Sequence, residues 1–348
     1  MKSAMTGLVK AERKAGAVLM ELPIPEIGPD EVRIQVKASS ICGTDMHIYH
    51  WDRWAEENVV TPNVFGHEFA GVVDAVGSAV AGIRPGDSVS AEGHISCGTC
   101  KPCRSGQAHV CTRMRSFGIS APGCFADYAV TKAANVILND PALPFEQACL
   151  QDPLGNAVQA VLAGDIVGRT VAVVGCGPIG LLAIQVARAA GAGHIVAVDL
   201  HDYRLEMASR LGADHIVKPA DGQRLSRTLL ELTGGEGVEV GLEMSGSASA
   251  IQELLEAVAN GGRVSLLGIP AREVPVDLAR HIIFKGVQVH GITGRLMYRT
   301  WHQMQGLLAA GRIDLKPLVD RTFTLDRYEE AFALMGSGQC AKIVFKHE

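Results

Sequence analysis

The stretch RTVAVVGCGPIGLLAIQVARAAGAGHIVAVD, residues 169–199, decides the fold. Within it a short apolar run ends at glycines, a helix-prone segment covers 179–190, and a second apolar run covers 194–199. This order predicts a strand, a helix and a second strand parallel to the first. The same alternation of apolar runs and helix-prone segments continues to about residue 295. Strands are expected at 238–246 and 262–269, with a helix at 248–259 between them. A doubly wound α/β domain with a parallel sheet is therefore predicted.

The turn after the first strand has the spacing G-x-G-x-x-G, formed by Gly175, Gly177 and Gly180. Between a strand and a helix, such glycines let the backbone approach a pyrophosphate, whose charge is favoured by the free N–H groups at the helix start. Asp199 ends the next strand, where a carboxylate accepts hydrogen bonds from ribose hydroxyls and repels a 2′-phosphate. NAD is therefore the expected cofactor, although Arg204 is close enough to bind either ribose or phosphate. The alternative is a structural turn with Asp199 as a solvated strand end.

The first 150 residues have a different pattern, with short strands and glycine turns. Val32, Ile34 and Val36 alternate with polar residues, which indicates a strand with one solvent-facing side. From residue 300 the chain is helical and then ends in an apolar run that would add a strand to this first domain. The predicted domains are 1–152 with 300–348, including a cysteine-rich lobe at about 94–115, and 153–299 for the nucleotide-binding domain.

Four of the nine cysteines form a cluster with two, two and seven residues between successive members. Thiolates grouped so closely in one loop are typical ligands of a tetrahedral zinc ion. Because four protein ligands leave no open coordination position, a structural role is expected. An iron–sulfur cluster and cysteines without a metal are the alternatives. The cluster consists of Cys97, Cys100, Cys103 and Cys111.

A second metal site is suggested by Cys42 and by the adjacent residues His67 and Glu68. A single cysteine is more often a buried packing residue than a ligand. An adjacent His-Glu pair is more often a hydrogen-bonded pair on the surface. Together, and with a nucleotide site, they offer thiolate, imidazole and carboxylate to a zinc ion with an open position. Such an ion lowers the pKa of a bound alcohol, which prepares the alcohol for hydride loss to a nicotinamide. Thr44 and His47 follow Cys42 closely and are suited to carry the released proton.

Composition limits the classes of partner. Lys and Arg total 32 against 37 Asp and Glu, a formal net charge of −5, which provides no overall basic field for nucleic acid or an anionic membrane. Hydrophobic residues at 47% and charged residues at 20% are typical of a globular protein. We expect a small-molecule substrate and no nucleic-acid or membrane partner. The lack of a visible targeting signal or long apolar span, and the odd, clustered cysteines, predict a reducing, cytoplasmic location.

The chain resembles the zinc-containing medium-chain alcohol dehydrogenases in GHE (66–68), the cysteine lobe and the glycine turn. The resemblance covers nearly the whole chain, and it is strongest to the branch of that family that oxidises L-threonine. The segments that carry it are ICGTDMHIYHWDRW (41–54), EGHISCG (92–98), PGCFADY (122–128), DPLGNAV (152–158), EMSG (243–246) and GITGRLMYRTW (291–301).

This resemblance implies a GroES-like catalytic domain joined to a Rossmann domain, in a homotetramer with two zinc ions per chain. The implied reaction is oxidation of L-threonine to 2-amino-3-oxobutanoate with hydride transfer to NAD+. Cys42, His67 and Glu68 match the catalytic zinc ligands, and the four clustered cysteines match the structural zinc ligands. Thr44 and His47 match the proton relay. The matching NAD contacts are Ile179, Asp199, Arg204, Leu267, Gly268, Ile269, Ile292 and Thr293.

Three further residues have less specific signals. Asp152 stands where relatives often have Glu or Cys near the metal, and its shorter side chain favours tuning of the zinc water or the relay over direct ligation. A turn carboxylate before Pro153 is the alternative. His94 is either a substrate contact or a histidine satisfied by the backbone. Arg295 would bind a threonine carboxylate through its planar guanidinium, or it would lie in solvent or at a subunit interface.

Two other functions stay open at this point. A polyol or 2,3-butanediol dehydrogenase would use the same zinc and cofactor residues, since few positions set the substrate. A non-catalytic nucleotide-binding protein would have the same fold without the catalytic activity. Such a protein would have no need of thiolate, imidazole, carboxylate and relay groups together.

Overall fold

The computed structural model describes residues 4–220 and 222–348. They form two compact units: the first holds the residues up to Asp152 together with Leu315–Glu348, and the second holds Pro153–Asp314. Residues 300–314 thus lie in the second unit, whereas the sequence prediction puts them in the first. The side chain of Gln185 exchanges hydrogen bonds of 2.9 and 2.8 Å with the backbone of Asp314, which ties this segment to the second unit. In the described ranges, no helix combines the length and the apolar character that crossing a bilayer needs.

Antiparallel sheets make up most of the first unit. Val32, Ile34 and Val36 of its central strand are fully buried while the residues between them are partly exposed, because successive side chains of a strand point to opposite faces. The strands up to residue 152 are β1 (Ala4–Lys10), β2 (Val18–Pro23), β3 (Glu31–Ser40), β4 (Asn63–Val64), β5 (Glu68–Val76), β6 (Ser88–Ala91), β7 (His94–Ile95), β8 (Arg115–Ser116), β9 (Tyr128–Lys132) and β10 (Val136–Leu138). The helices are α1 (Gly43–His50), α2 (Arg53–Asn58), α3 (Lys101–Arg104) and α4 (Phe145–Ala148), while α5 (Gln151–Val161) spans the division between the units.

The second unit contains a six-stranded parallel sheet with intervening helices. Its strands are β11 (Thr170–Val174), β12 (His194–Val198), β13 (His215–Val217), β14 (Val238–Glu243), β15 (Val258–Leu266) and β16 (Gln288–Gly291). Its helices after α5 are α6 (Pro178–Ala189), α7 (Asp202–Arg210), α8 (Leu225–Leu232), α9 (Ala248–Ala257) and α10 (Arg299–Ala309). The strand order β13-β12-β11-β14-β15-β16 is that of a doubly wound sheet, so the predicted α/β fold is confirmed.

The end of the chain completes the main sheet of the first unit. It forms β17 (Val319–Thr324), α11 (Tyr328–Gly336) and β18 (Lys342–Lys346). The order of the seven-stranded sheet is β10-β6-β5-β3-β18-β17, with β9 also paired to β3. Because β18 runs antiparallel to β3, with Val344 opposite Ser40, the last strand lies beside the end of β3.

Aromatic rings fix α11 to the core of the first unit. Phe332 of α11 stacks on Tyr49 with ring centroids 4.3 Å apart and lies 5.9 Å from the ring of Phe65. Phe125 contacts Phe345 of β18 edge-on at 5.3 Å. Since these rings come from both ends of the first unit's sequence, its core is incomplete without the last segment of the chain.

We expect Phe332→Ala to lower the free energy of unfolding of the first unit by about 3–5 kcal/mol, because the substitution leaves a cavity among the aromatic rings. Guanidinium denaturation of the zinc-loaded protein measures the change. Val60→Ala is the matched control, since Val60 is 56% exposed, and it should change stability by less than about 0.5 kcal/mol. Equal effects of the two variants would contradict the role of Phe332 in the core.

Candidate active site

Cys42, His67 and Glu68 meet in the first unit, although they are distant in the sequence. Cys42 precedes α1, while His67 lies immediately before β5 and Glu68 is its first residue. One ligand atom from each of the three lies within 4.8 Å of the others. A thiolate, an imidazole and a carboxylate this close together fit a zinc ion that keeps a position open for water or substrate.

Asp45 orients two of these three groups, and the sequence analysis missed it. One of its carboxylate oxygens accepts a 2.8 Å hydrogen bond from the backbone N–H of Cys42, as part of a capping box at the start of α1. The other oxygen lies 3.5 Å from Nδ1 of His67. Both of these facing atoms are buried and have no hydrogen-bond partner among residues 4–220 and 222–348. A carboxylate behind a histidine is the usual support of a metal-ligating imidazole.

The charge of Asp45 also governs the protonation of His67. Burial alone would lower the pKa of His67, but the neighbouring Asp45 carboxylate and the Cys42 thiol raise it well above its ordinary value. Without an ion, the imidazole is therefore stabilised in its protonated form. A metal ion in the group would replace that proton, because only the deprotonated nitrogen can be a ligand.

Glu68 is buried and paired with a cation that the sequence analysis also missed. Its carboxylate accepts hydrogen bonds from the Lys342 ammonium of β18 and from the Ser40 hydroxyl at the end of β3. The ammonium also donates a 2.8 Å hydrogen bond to the carbonyl of Ile41. Burial would lower the pKa of Lys342, but Glu68 more than offsets this and raises it. Lys342 thus balances part of the negative charge that Glu68 brings to the metal group.

Thr44 and His47 lie one turn apart on α1, beside the metal group. The Thr44 hydroxyl is 3.8 Å from the Cys42 sulfur. Nδ1 of His47 lies 2.5 Å from a carboxylate oxygen of Asp52, whose other oxygen caps α2 through the N–H of Ala55 at 3.1 Å. The His47 side chain is 56% exposed, so its ring can exchange a proton with solvent. Their assignment as a proton relay stays a prediction.

Asp152 and His94 lie in the first unit. Asp152 is 6% exposed in the first turn of α5 and is not among the three residues of the metal group. His94 is held by the fully buried Glu92, whose carboxylate accepts from the His94 backbone N–H at 2.9 Å and lies 2.7 Å from its Nδ1. The amide of Asn135 donates to the carbonyls of both Glu92 and His94. His94 is therefore oriented by a carboxylate that the sequence analysis did not single out.

Arg295 is 1% exposed within the second unit, so it does not lie in solvent. Its guanidinium donates a 3.1 Å hydrogen bond to the Asn156 side chain and lies over the ring of Trp301, 5.3 Å from the centroid. A Cβ on Gly155 would come within 2.6 Å of the Arg295 side chain, so α5 packs directly on it. These contacts hold the guanidinium against α5 and Trp301. The arrangement favours a structural role, and a contact with the substrate carboxylate stays a prediction.

The four clustered cysteines form a second group whose ligand atoms all lie within 4.8 Å of one another. Hydrogen bonds from the Thr99 backbone and the Arg113 guanidinium lower the pKa of Cys97 to about 5, and the Cys103 backbone lowers that of Cys100 to about 7. Burial and the neighbouring thiols raise the pKa of Cys103 to about 11. Four sulfurs with donors directed at them fit a closed tetrahedral zinc site.

The glycine turn connects β11 to α6 as predicted. Gly175 has a φ of +95°, and a Cβ there would lie 2.8 Å from the backbone nitrogen of Ser245. A Cβ on Gly180 would lie 1.9 Å from the carbonyl oxygen of Gly175, so helix and strand pack with no room for a side chain. Nothing lies near the corresponding position of Gly177, the N-cap of α6. The turn therefore leaves open space where the N-terminus of α6 favours a phosphate.

Asp199 follows β12 and borders a cavity of about 420 Å³ that the glycine turn also lines. Its two carboxylate oxygens accept hydrogen bonds from the N–H groups of Cys176 (2.8 Å) and His201 (2.9 Å). Arg204 approaches the Asp199 carboxylate at 3.8 Å. These bonds fix the carboxylate at the edge of the cavity, where a ribose would reach it.

The remaining predicted cofactor contacts are Ile179, in the first turn of α6, and residues that follow the carboxyl ends of β15 and β16, on the sheet edge that also bears the glycine turn. The N–H of Ile292 donates to the carbonyl of Leu266 at 2.9 Å, which brings the two segments together. The buried Glu243 holds the loop next to them, accepting from the Ser245 N–H at 2.9 Å. Burial raises the pKa of Glu243. The residues at this edge are Ile179, Leu267, Gly268, Ile269, Ile292 and Thr293.

Comparison with known proteins places this site in a family. The alcohol dehydrogenase GroES-like domain family matches residues 28–141, and the zinc-binding dehydrogenase family matches 178–310. L-threonine 3-dehydrogenases of Caldanaerobacter subterraneus subsp. tengcongensis and of Bacillus subtilis are each 47% identical to the chain, over 99% and 98% of both sequences respectively.

Solved structures agree with this placement. An alcohol dehydrogenase of Escherichia coli CFT073 complexed with NADH has a TM-score of 0.92 at 28% identity, and 2R,3R-butanediol dehydrogenase of Bacillus subtilis has a TM-score of 0.88 at 28% identity. Each comparison covers 99% of this chain and 100% of the other. The fold and the site thus define a zinc-containing medium-chain alcohol dehydrogenase. Within that class, the chain belongs to the L-threonine 3-dehydrogenase family.

We expect Gly180→Ala to lower the stability of the second unit by about 1–3 kcal/mol, because its Cβ would press on the backbone of the glycine turn. Gly177→Ala is the matched control. It should leave the thermal unfolding midpoint nearly unchanged and weaken binding of a dinucleotide, whose pyrophosphate would meet the new methyl group. Differential scanning calorimetry and NADH titration measure the two effects. A Gly177→Ala variant with unaltered NADH affinity would contradict the placement of the pyrophosphate.

Proposed function

We propose that this protein converts L-threonine and NAD+ to 2-amino-3-oxobutanoate, NADH and a proton. One observation carries the proposal: a three-ligand metal group, with Thr44 and His47 on the helix that follows Cys42, occurs in one chain with a glycine turn and Asp199 that line one cavity. The 47% identity to enzymes named for this reaction supports the choice of substrate.

The residues of the metal group have separate tasks. Cys42, His67 and Glu68 would hold a zinc ion, which supplies Lewis acidity that favours loss of the proton from a substrate hydroxyl. Asp45 keeps the His67 ring in position. Lys342 offsets the charge of Glu68, so the thiolate and carboxylate do not fully neutralise the positive charge that the substrate oxygen needs nearby.

The released proton needs a path to water. We assign the first step to the Thr44 hydroxyl, because it lies beside the Cys42 sulfur. The proton would then reach His47 one turn further along α1. Since Nδ1 of His47 faces Asp52, Nε2 is the atom that accepts it. The Asp52 carboxylate stabilises the resulting imidazolium, and the exposed ring delivers the proton to solvent.

The cofactor preference follows from Asp199. Its carboxylate is fixed by two backbone N–H groups, and it would accept hydrogen bonds from both adenosine ribose hydroxyls. A 2′-phosphate at that place would meet negative charge, which favours NAD over NADP. The Arg204 guanidinium is directed at the same carboxylate. Asp199 therefore already neutralises part of the positive charge of Arg204.

Recognition of the amino-acid part of the substrate is assigned to the first unit. His94 is oriented by the buried Glu92, and Asp152 is a buried carboxylate that would attract the ammonium group or adjust the acidity of the metal group. The contacts of Arg295 with Asn156 and Trp301 argue against it as the carboxylate-binding group.

We also propose a homotetramer in the cytoplasm. The edge strand β16 has one unpaired side, and large apolar side chains near it are exposed, Phe284 by 84% and Ile283 by 67%. A sheet edge with exposed apolar side chains beside it is a surface on which another chain can bind. All nine cysteines are free thiols, which fits a reducing compartment.

Substrate preference tests the proposed reaction. We expect NADH formation from L-threonine with a kcat/KM at least about a hundredfold above those for 2,3-butanediol and sorbitol, because a site built for ammonium and carboxylate groups rejects molecules that lack them. Metal-stripped enzyme should be inactive with all three. Faster turnover of butanediol would favour the rival diol dehydrogenase function, for which the structural likeness to 2R,3R-butanediol dehydrogenase is the supporting observation.

Zinc content separates the two metal groups. Wild-type protein should hold two zinc ions per chain, one for each group. Cys42→Ser should hold about one and lose activity while keeping its stability. Cys103→Ser should also hold about one, but it should unfold more easily because a structural zinc contributes folding free energy. Atomic emission, calorimetry and activity assays measure these effects; a fully active Cys42→Ser enzyme would contradict the catalytic assignment.

A further inference from the structure

Two histidines outside the active site face each other on neighbouring strands of the second unit. His194 is the first residue of β12, and His215 is the first residue of β13. In the parallel register His215 is opposite Val196, which is two residues from His194. Because residues two apart on a strand share a face, both imidazoles lie on the same side of the sheet. Both residues are exposed to solvent.

The spacing of the two rings suits a metal ion. Their Nε2 atoms are 3.1 Å apart and their ring centroids 5.0 Å. Two imidazole nitrogens that each bind one ion at about 2.1 Å and lie this far apart subtend roughly 95° at the ion, which is close to adjacent positions of an octahedron. The separation of the two Nε2 atoms therefore already matches that of a two-nitrogen chelate.

The carboxylate next to the histidine pair is already bonded to other groups. Asp214 precedes His215, and its carboxylate accepts hydrogen bonds from the N–H of Ile195 (2.7 Å) and from the Arg188 guanidinium (2.6 Å). The first bond links the strand that bears His215 to the one that bears His194. Arg188 balances the carboxylate charge, so the two imidazoles, rather than an acidic cluster, provide the ligands.

We propose that His194 and His215 bind a divalent transition-metal ion of the Ni²⁺ class through their Nε2 atoms. Without the ion, one ring donates its Nε2–H to the other. With the ion, both rings carry their proton on Nδ1, so one tautomer changes and no proton is lost from a neutral pair. Water completes the coordination.

This site differs in place and effect from the two zinc groups. His194 stands at the start of β12 and Asp199 just beyond its other end, a separation of roughly 16 Å at 3.3 Å per residue. Bound metal would not block the cofactor cavity. It would instead clamp β13, the short edge strand of the sheet, whose Val217 carbonyl accepts a 3.2 Å hydrogen bond from the N–H of Asp199.

Calorimetric titration of the zinc-loaded enzyme with Ni²⁺ tests the proposal. The wild-type protein should bind one Ni²⁺ per chain while its zinc is retained, and Mn²⁺ should bind more weakly, following the ligand preference of imidazole. His194→Asn and His215→Asn should each weaken Ni²⁺ binding by at least about tenfold, because the second imidazole of a chelate binds intramolecularly. His302→Asn is the matched control, since it removes an exposed imidazole from α10.

A second measurement separates the loss of a metal ligand from the misfolding of a variant. Ni²⁺ should raise the Tm of the wild-type and His302→Asn proteins and should leave that of the two pair variants unchanged. His194→Gln serves as a further variant if His194→Asn does not fold, and zinc content and NADH binding show that each variant is intact. Ni²⁺ binding of wild-type strength in either pair variant, or a loss in His302→Asn alone, would overturn the proposal.

Discussion

The buried pair of Glu68 and Lys342 is the interaction on which the first unit depends. Glu68 opens β5, and Lys342 opens the last strand of the chain, so the pair joins segments separated by most of the sequence. An unpaired charge in such a place costs about 3–5 kcal/mol, which makes each partner necessary to the other. The same pair adjusts the charge of the metal group. The stability of the first unit and the electrostatics of the metal group therefore both depend on this contact.

Asp45 also serves two functional residues, with a single carboxylate. Its carboxylate caps the helix that follows Cys42 and faces the ring of His67. One side chain thus positions both the thiol and the imidazole. Because α1 also carries Thr44 and His47, the capping box sets the place of the proposed relay as well. A change in this helix would therefore disturb the ligand geometry and, if our proposal holds, the proton transfer as well.

The second unit has a different task, the binding of a charged dinucleotide. Its parallel sheet brings the carboxyl ends of six strands to one edge, where Gly175, Asp199 and Glu243 lie. Backbone N–H groups and a helix N-terminus provide the positive potential. Buried carboxylates serve to hold loops: Glu243 accepts from the loop after β14, and Asp199 accepts from the glycine turn.

The sequence by itself determined the features that depend on local order. Apolar periodicity predicted the parallel strands and helices, and fixed spacings predicted the glycine turn and the cysteine lobe. Tertiary structure alone decided the roles that depend on distant segments. Lys342 reaches Glu68 only because β18 pairs with β3, Trp301 and Asp314 keep residues 300–314 in the second unit, and α5 covers Arg295. Strand order and side-chain burial arise from long-range pairing, which no local spacing encodes.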